Sequence, residues 1–128
     1  MKDTVKYWVD LSDYDLETAE AMLLSGRYLY VGFMCHQTVE KVFKAFFANK
    51  YELTPPFSHN LSYLAEKSGI IKFIPENLID IINILDPLNI EARYPTCKEL
   101  LMKDLTEAKC KSILLKTREL QLWVKEKL

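Results

Sequence analysis

Hydrophobic residues return along this chain at intervals of three and four and show no sustained alternation, so the pattern predicts helices and no strands. Between Asp3 and Leu24, the residues Val5, Trp8, Val9, Leu16, Ala19, Met22 and Leu23 recur at helical spacing with Asp13, Glu17 and Glu20 between them, which describes an amphipathic helix. Ser25-Gly26 ends it, because glycine adopts the left-handed conformation of a helix terminus at little steric cost. A second helix is expected from Arg27 or Tyr28 to about Lys50. Tyr28, Val31, Cys35, Val39, Val42 and Phe46 make one apolar stripe, and Tyr30, Phe33, Phe43 and Phe47 widen it beyond a single face. Such girth predicts burial by several neighbours. It also suggests more apolar surface than one subunit covers, so that two copies press together along this helix. His36, Gln37, Glu40, Lys41 and Lys44 form a narrow polar strip on it, since residues three and four apart share a helix face.

Leu53 to Ser58 contains Pro55-Pro56 and reads as a loop, since proline lacks the amide donor and restricts its predecessor. Ser58 is a cap for a short helix reaching Lys67 and closed by Ser68-Gly69. Pro75 opens the next helix, which runs to about Leu85 and is stopped by Pro87. Leu88 to Met102 has no clean period and includes Pro95, so it is expected to be irregular, with at most a turn of helix. Asp104 and Glu107, three apart, fit a capping box that starts the last helix. Its core stripe is Cys110, Ile113, Leu114, Thr117, Leu120, Val124 and Leu128, with Lys125 and Lys127 suited to the negative end of the helix dipole. The whole is expected to be one all-α domain over residues 1–128, an antiparallel up-and-down four-helix-type bundle with an additional short helix.

Composition narrows the function classes. A formal net charge of -1 argues against the broad cationic surface that displaces counterions from a nucleic acid, so RNA is not an expected partner. Cys35, Cys97 and Cys110 are odd in number and lack CxxC spacing, which points to buried reduced thiols and a cytoplasmic setting rather than to disulfides or a thiolate zinc site. The first residues include Lys2, Asp3 and Lys6 without an apolar run, and Ile79 to Leu85 is interrupted by Asp80 and Asn83, so neither a signal peptide nor a membrane span is expected.

An ordered set of residues carries a family resemblance. It begins with Trp8, Asp15-Leu16, Ala19, Leu23, Gly26 and Tyr28, and continues through Phe33, His36-Gln37, Glu40-Lys41 and Lys44-Ala45. It resumes at His59, Leu61 and Leu64 and closes at Ala92-Arg93-Tyr94-Pro95. In this order and spacing the chain resembles the HEPN family, whose name expands to higher eukaryotes and prokaryotes nucleotide-binding. The resemblance implies a helical bundle that forms a homodimer and works beside a minimal nucleotidyltransferase, often in a toxin–antitoxin pair, with nucleotide binding as a further implied property. Other members are metal-independent ribonucleases built on an Arg followed about four to six residues later by a His. Here Arg93 is followed by Tyr94, Pro95, Thr96, Cys97, Lys98 and Glu99, with no His, and Arg27 stands too far before His36. A binding module is therefore expected, with a ribonuclease toxin of altered motif as the alternative.

The candidate nucleotide- or partner-binding residues are Arg93, Tyr94, His36, Glu40, Lys41, Lys44 and His59. Arg93 has a guanidinium suited to bidentate phosphate or carboxylate contacts, or to tying its own loop to an acidic side chain. The strip residues either face a ligand phosphate or acidic partner, or form a hydrogen-bonded network at a helix seam. His59, at a helix start, either donates to a ligand or satisfies local backbone. No catalytic residue, metal site or cofactor is expected: Cys35 and His36 diverge around the helix, the chain has no Glu-x-x-His repeat, and no Gly-rich phosphate loop occurs.

Overall fold

The structure, a computed structural model, describes residues 2–90 and 95–128. Helix α1 spans Asp3–Leu24 and buries Val5, Val9, Ser12, Leu16 and Ala19, a ridge stepping by four and three. Its end is a Schellman closure: the Arg27 amide donates to the Met22 carbonyl at 2.8 Å and the Gly26 amide to that of Leu23 at 3.2 Å. Gly26 has φ +75°, the conformation that this closure requires and that a Cβ disfavours.

Helix α2, Tyr28–Tyr51, returns antiparallel to α1, so that Val5 and Val9 pack on Ala45 and Ala48. It is the central element, touching α1 and four further helices: α3 (Leu61–Ser68), α4 (Glu76–Ile90), α5 (Pro95–Asp104) and α6 (Glu107–Lys125). A short 3-10 turn, Ile70–Lys72, joins α3 to α4. Arg118 of α6 meets Glu20 at 2.5 Å and Lys125 meets Asp13 at 2.8 Å, so α6 runs antiparallel to α1. Lys116 of α6 donates to the Asn77 carbonyl near the start of α4, while Pro87 and Leu88 near its end share a cavity with Lys109, so α4 runs antiparallel to α6. Helices α1, α2, α4 and α6 thus form the up-and-down four-helix bundle, with α3 and α5 as short additions. Among the described residues no strand is present.

Several local expectations are corrected. The α2 helix is covered within one chain: Phe43 is fully buried, Phe33, Phe46 and Phe47 are half-buried, and only Tyr30 and Tyr51 among its aromatic residues are exposed. Five other helices take up most of its apolar sides, so the girth of α2 does not by itself require a second copy. Pro87 does not stop α4, which continues to Ile90. Pro87 and Asn83 are both exposed, so the carbonyl that loses its amide partner belongs to the solvent side of the helix. The stretch expected to be irregular contains α5. Asn60, not Ser58, caps α3, its side chain accepting from the Tyr63 amide at 2.9 Å. Thr106, not Asp104, caps α6, accepting from the Lys109 amide at 3.2 Å. Gly32 was missed as a packing residue: a Cβ there would lie 2.9 Å from Leu88 Cδ1, so its absence lets α4 approach α2 closely.

Candidate functional site

Spacing of four aligns His36, Glu40 and Lys44 on one ridge of α2, and Gln37 and Lys41 on the next. The first ridge is enclosed: His36 is 0% exposed, Glu40 2% and Lys44 7%. A carboxylate and an ammonium at that depth persist only if each is paired and hydrogen-bonded. Glu40 meets this condition twice. Lys44 Nζ donates to Oε2 at 3.3 Å and His59 Nδ1 lies 2.8 Å from Oε1. The Lys44 ammonium also stands 5.3 Å from the centre of the Trp8 ring, where the aromatic face adds cation–π attraction.

The second ridge is half-buried. Lys41 donates to Asp15 Oδ2 at 3.1 Å and to Gln37 Oε1 at 3.0 Å, which fixes which end of the Gln37 amide faces which neighbour. Gln37 Nε2 then lies 3.0 Å from Asn89 Oδ1 of α4 and 3.3 Å from His36 Nδ1. That arrangement makes His36 Nδ1 an acceptor and assigns the ring proton to Nε2. His36 Nε2 and Asn89 Nδ2 are buried and make no hydrogen bond with a described residue. Burial pushes the His36 pKa down to about 4, against the opposing influence of the Glu40 and Asp86 carboxylates and the His59 backbone. The ring is neutral near pH 7.

His59 sits between the Pro55-Pro56 loop and α3, its side chain 56% exposed. With Nδ1 directed at the Glu40 carboxylate, Nε2 is the nitrogen left for other partners. His59 borders a cavity of about 250 Å³ together with Asn60, Asp86 and Pro87. Asp86 secures the start of α3, accepting from the Leu61 amide at 2.7 Å, the Ser62 amide at 3.4 Å and the Ser62 hydroxyl at 2.9 Å.

Of the sequence-derived candidates, the structure brings together His36, Glu40, Lys44 and His59, with Lys41 one ridge away. Arg93 and Tyr94 lie outside the described residues. Sequence reasoning did not single out Asp15, Asp86 or Asn89 as partners of this cluster. Their contacts span 24 or more positions of chain, and no local pattern marks them. As a result the cations of the strip are neutralised internally, Lys44 by Glu40 and Lys41 by Asp15. Cys35 and Cys110 give no nucleophile: burial pushes Cys35 up to about 12 and Cys110 up to about 11, so both stay protonated at neutral pH. Among the described residues, no group of three or more His, Cys, Asp or Glu could hold a metal ion, and no helix is long and apolar enough to cross a membrane.

A solved structure shares this architecture. The crystal structure of TT1696 from Thermus thermophilus superposes with a TM-score of 0.84 at 20% identity, covering 99% of this chain and 100% of that one. At that identity the likeness is one of fold. No curated protein matches the sequence. A family profile described as the HEPN domain matches residues 5–127, nearly the whole bundle from the first buried turn of α1 to the end of α6. The chain therefore belongs to the HEPN domain family.

Proposed function

We propose that this HEPN domain is a binding module that pairs with a second copy of itself and engages a minimal nucleotidyltransferase, in the manner of a toxin–antitoxin system, without chemistry of its own. The observation that carries the reading is the double use of Glu40, which at 2% exposure holds Lys44 and His59 together. Residues consumed in this way stabilise a rigid scaffold and leave no unpaired cation in the polar strip of α2 for a phosphate. Nucleotide binding, where it occurs in this reading, falls to Arg93 and Tyr94 rather than to Lys41 or Lys44. Pairing rests on family membership, since α2 is largely covered by its own chain.

Co-purification of the native protein from its host tests the partner, and light scattering at micromolar concentration tests the pairing. The expected results are a nucleotidyltransferase recovered in stoichiometric amount and a mass of two chains. A monomer with no co-purifying protein sinks the proposal. Metal-independent cleavage of a mixed RNA pool, abolished by Arg93→Ala, would replace it with the ribonuclease alternative.

A further inference from the structure

On the side of α2 turned away from the Glu40 ridge, three aromatic side chains surround a second cavity. Phe46 of α2, Ile70 of the 3-10 turn, Phe73 just beyond it, and Trp123 and Lys127 at the end of α6 line a space of about 470 Å³. Its floor is Ile70, fully buried, while Phe46 and Trp123 are half-buried and Phe73 is 64% exposed. A phenyl ring held that far into water, at the margin of a cavity it shares with an indole, is uncovered apolar surface. The volume is of the size that accepts small molecules.

Lys127 is the one charged residue in this lining. Its ammonium lies 5.0 Å from the centre of the Trp123 ring. Lys125, two positions earlier, is committed to Asp13, whereas Lys127 makes no ion pair with a described residue. Three aromatic side chains lining one cavity favour a planar ring as its occupant. A single cation at the rim, already poised over the indole, favours a negative group at the edge of that ring.

We infer that the slot formed by Phe46, Ile70, Phe73, Trp123 and Lys127 binds a planar aromatic small molecule bearing one anionic group, its ring stacked between Trp123 and Phe73 and its charge on Lys127. This site is separate from the Glu40–His59 cluster and does not depend on pairing or on a nucleotidyltransferase.

The chain has two tryptophans, so the two indole N–H signals in an NMR spectrum report the site and an internal control, and Trp8→Phe assigns them. The probes are 1-naphthoate, its neutral analogue 1-naphthamide, and adenosine monophosphate. Naphthoate is expected to move the Trp123 signal saturably at about 1 mM or below, the affinity that its size supports, and to leave Trp8 in place. Removing the charge, either by naphthamide or by Lys127→Met, is expected to weaken binding about tenfold, with Lys127→Arg retaining it. A Trp123 response to the monophosphate identifies the natural class as nucleotides, and a response to naphthoate alone identifies it as aryl acids. No saturable shift with either anion overturns the proposal. So does equal binding of naphthoate and naphthamide that ignores Lys127→Met, which would mark a nonspecific apolar surface.

Discussion

Glu40 is held by contacts from two parts of the chain, Lys44 and His59, and its removal strands both. Lys44 would remain 7% exposed with only the Trp8 face as partner, and His59 would lose the acceptor that orients its ring. Removing one member of a buried ion pair costs about 3 kcal/mol or more. Glu40→Ala is therefore expected to lower the urea midpoint strongly, and an unchanged midpoint would remove the structural role given to the cluster. His36 makes a prediction about pH. Its folded pKa of about 4 lies below the ordinary 6.5, so between those values the unfolded chain binds the proton more readily than the folded one. Stability from this group is present above pH 6.5 and lost as pH falls toward 4, by about 3 kcal/mol over the whole interval. Denaturation midpoints of the wild type and His36→Gln, compared across that range, should diverge in slope. Parallel curves would mean that His36 takes up its proton equally in both states.

Helix α3 depends on a residue from another element. Eight residues are too few to form a stable helix in isolation, and its first amides are met by Asp86 of α4 and by Asn60. Asp86→Ala removes the acceptor for two backbone amides and the Ser62 hydroxyl, a loss of about 1–2 kcal/mol on the scale of helix caps. Hydrogen exchange should show α3 losing protection more than α1 or α6. If all helices lose protection equally, the cap acts on global stability and not on α3. The same contact joins α3 to α4 at the margin of the His59 cavity, so the short helix positions His59 as well as filling the bundle's flank.

At the scale of the whole molecule, the thiols report cooperativity. Cys35 is fully buried with its pKa raised to about 12 by desolvation, against an ordinary value of 9.0, which lowers its thiolate population about a thousandfold near neutral pH. In a Cys97→Ser background, alkylation of Cys35 at about pH 8 should proceed only through unfolding and accelerate in urea along with the loss of helix. Rapid labelling of the native protein would show that the α2–α6 seam opens without global unfolding. The seam is further tied by Gln121 of α6, which donates to Ser12 at 3.0 Å while the Ser12 hydroxyl donates to the Thr38 carbonyl at 2.7 Å. One buried chain of hydrogen bonds thus links α1, α2 and α6.

By itself the sequence determined the helical class, the closure at Gly26 and the polar strip of α2, because each follows from the helical period or from a glycine's backbone freedom within a few residues. It also carried the HEPN resemblance. Three things were decided only in the tertiary structure. The continuation of α4 through Pro87 depends on which side of the helix meets solvent. The coverage of α2 depends on how many neighbours reach it, including α5, whose weak periodicity hides it. The fate of the strip's charges depends on Asp15, His59 and Asn89, brought in from distant parts of the chain. Periodicity tells which residues share a face, but a charge is neutralised by whatever the fold places opposite it, and that is a property of packing between helices.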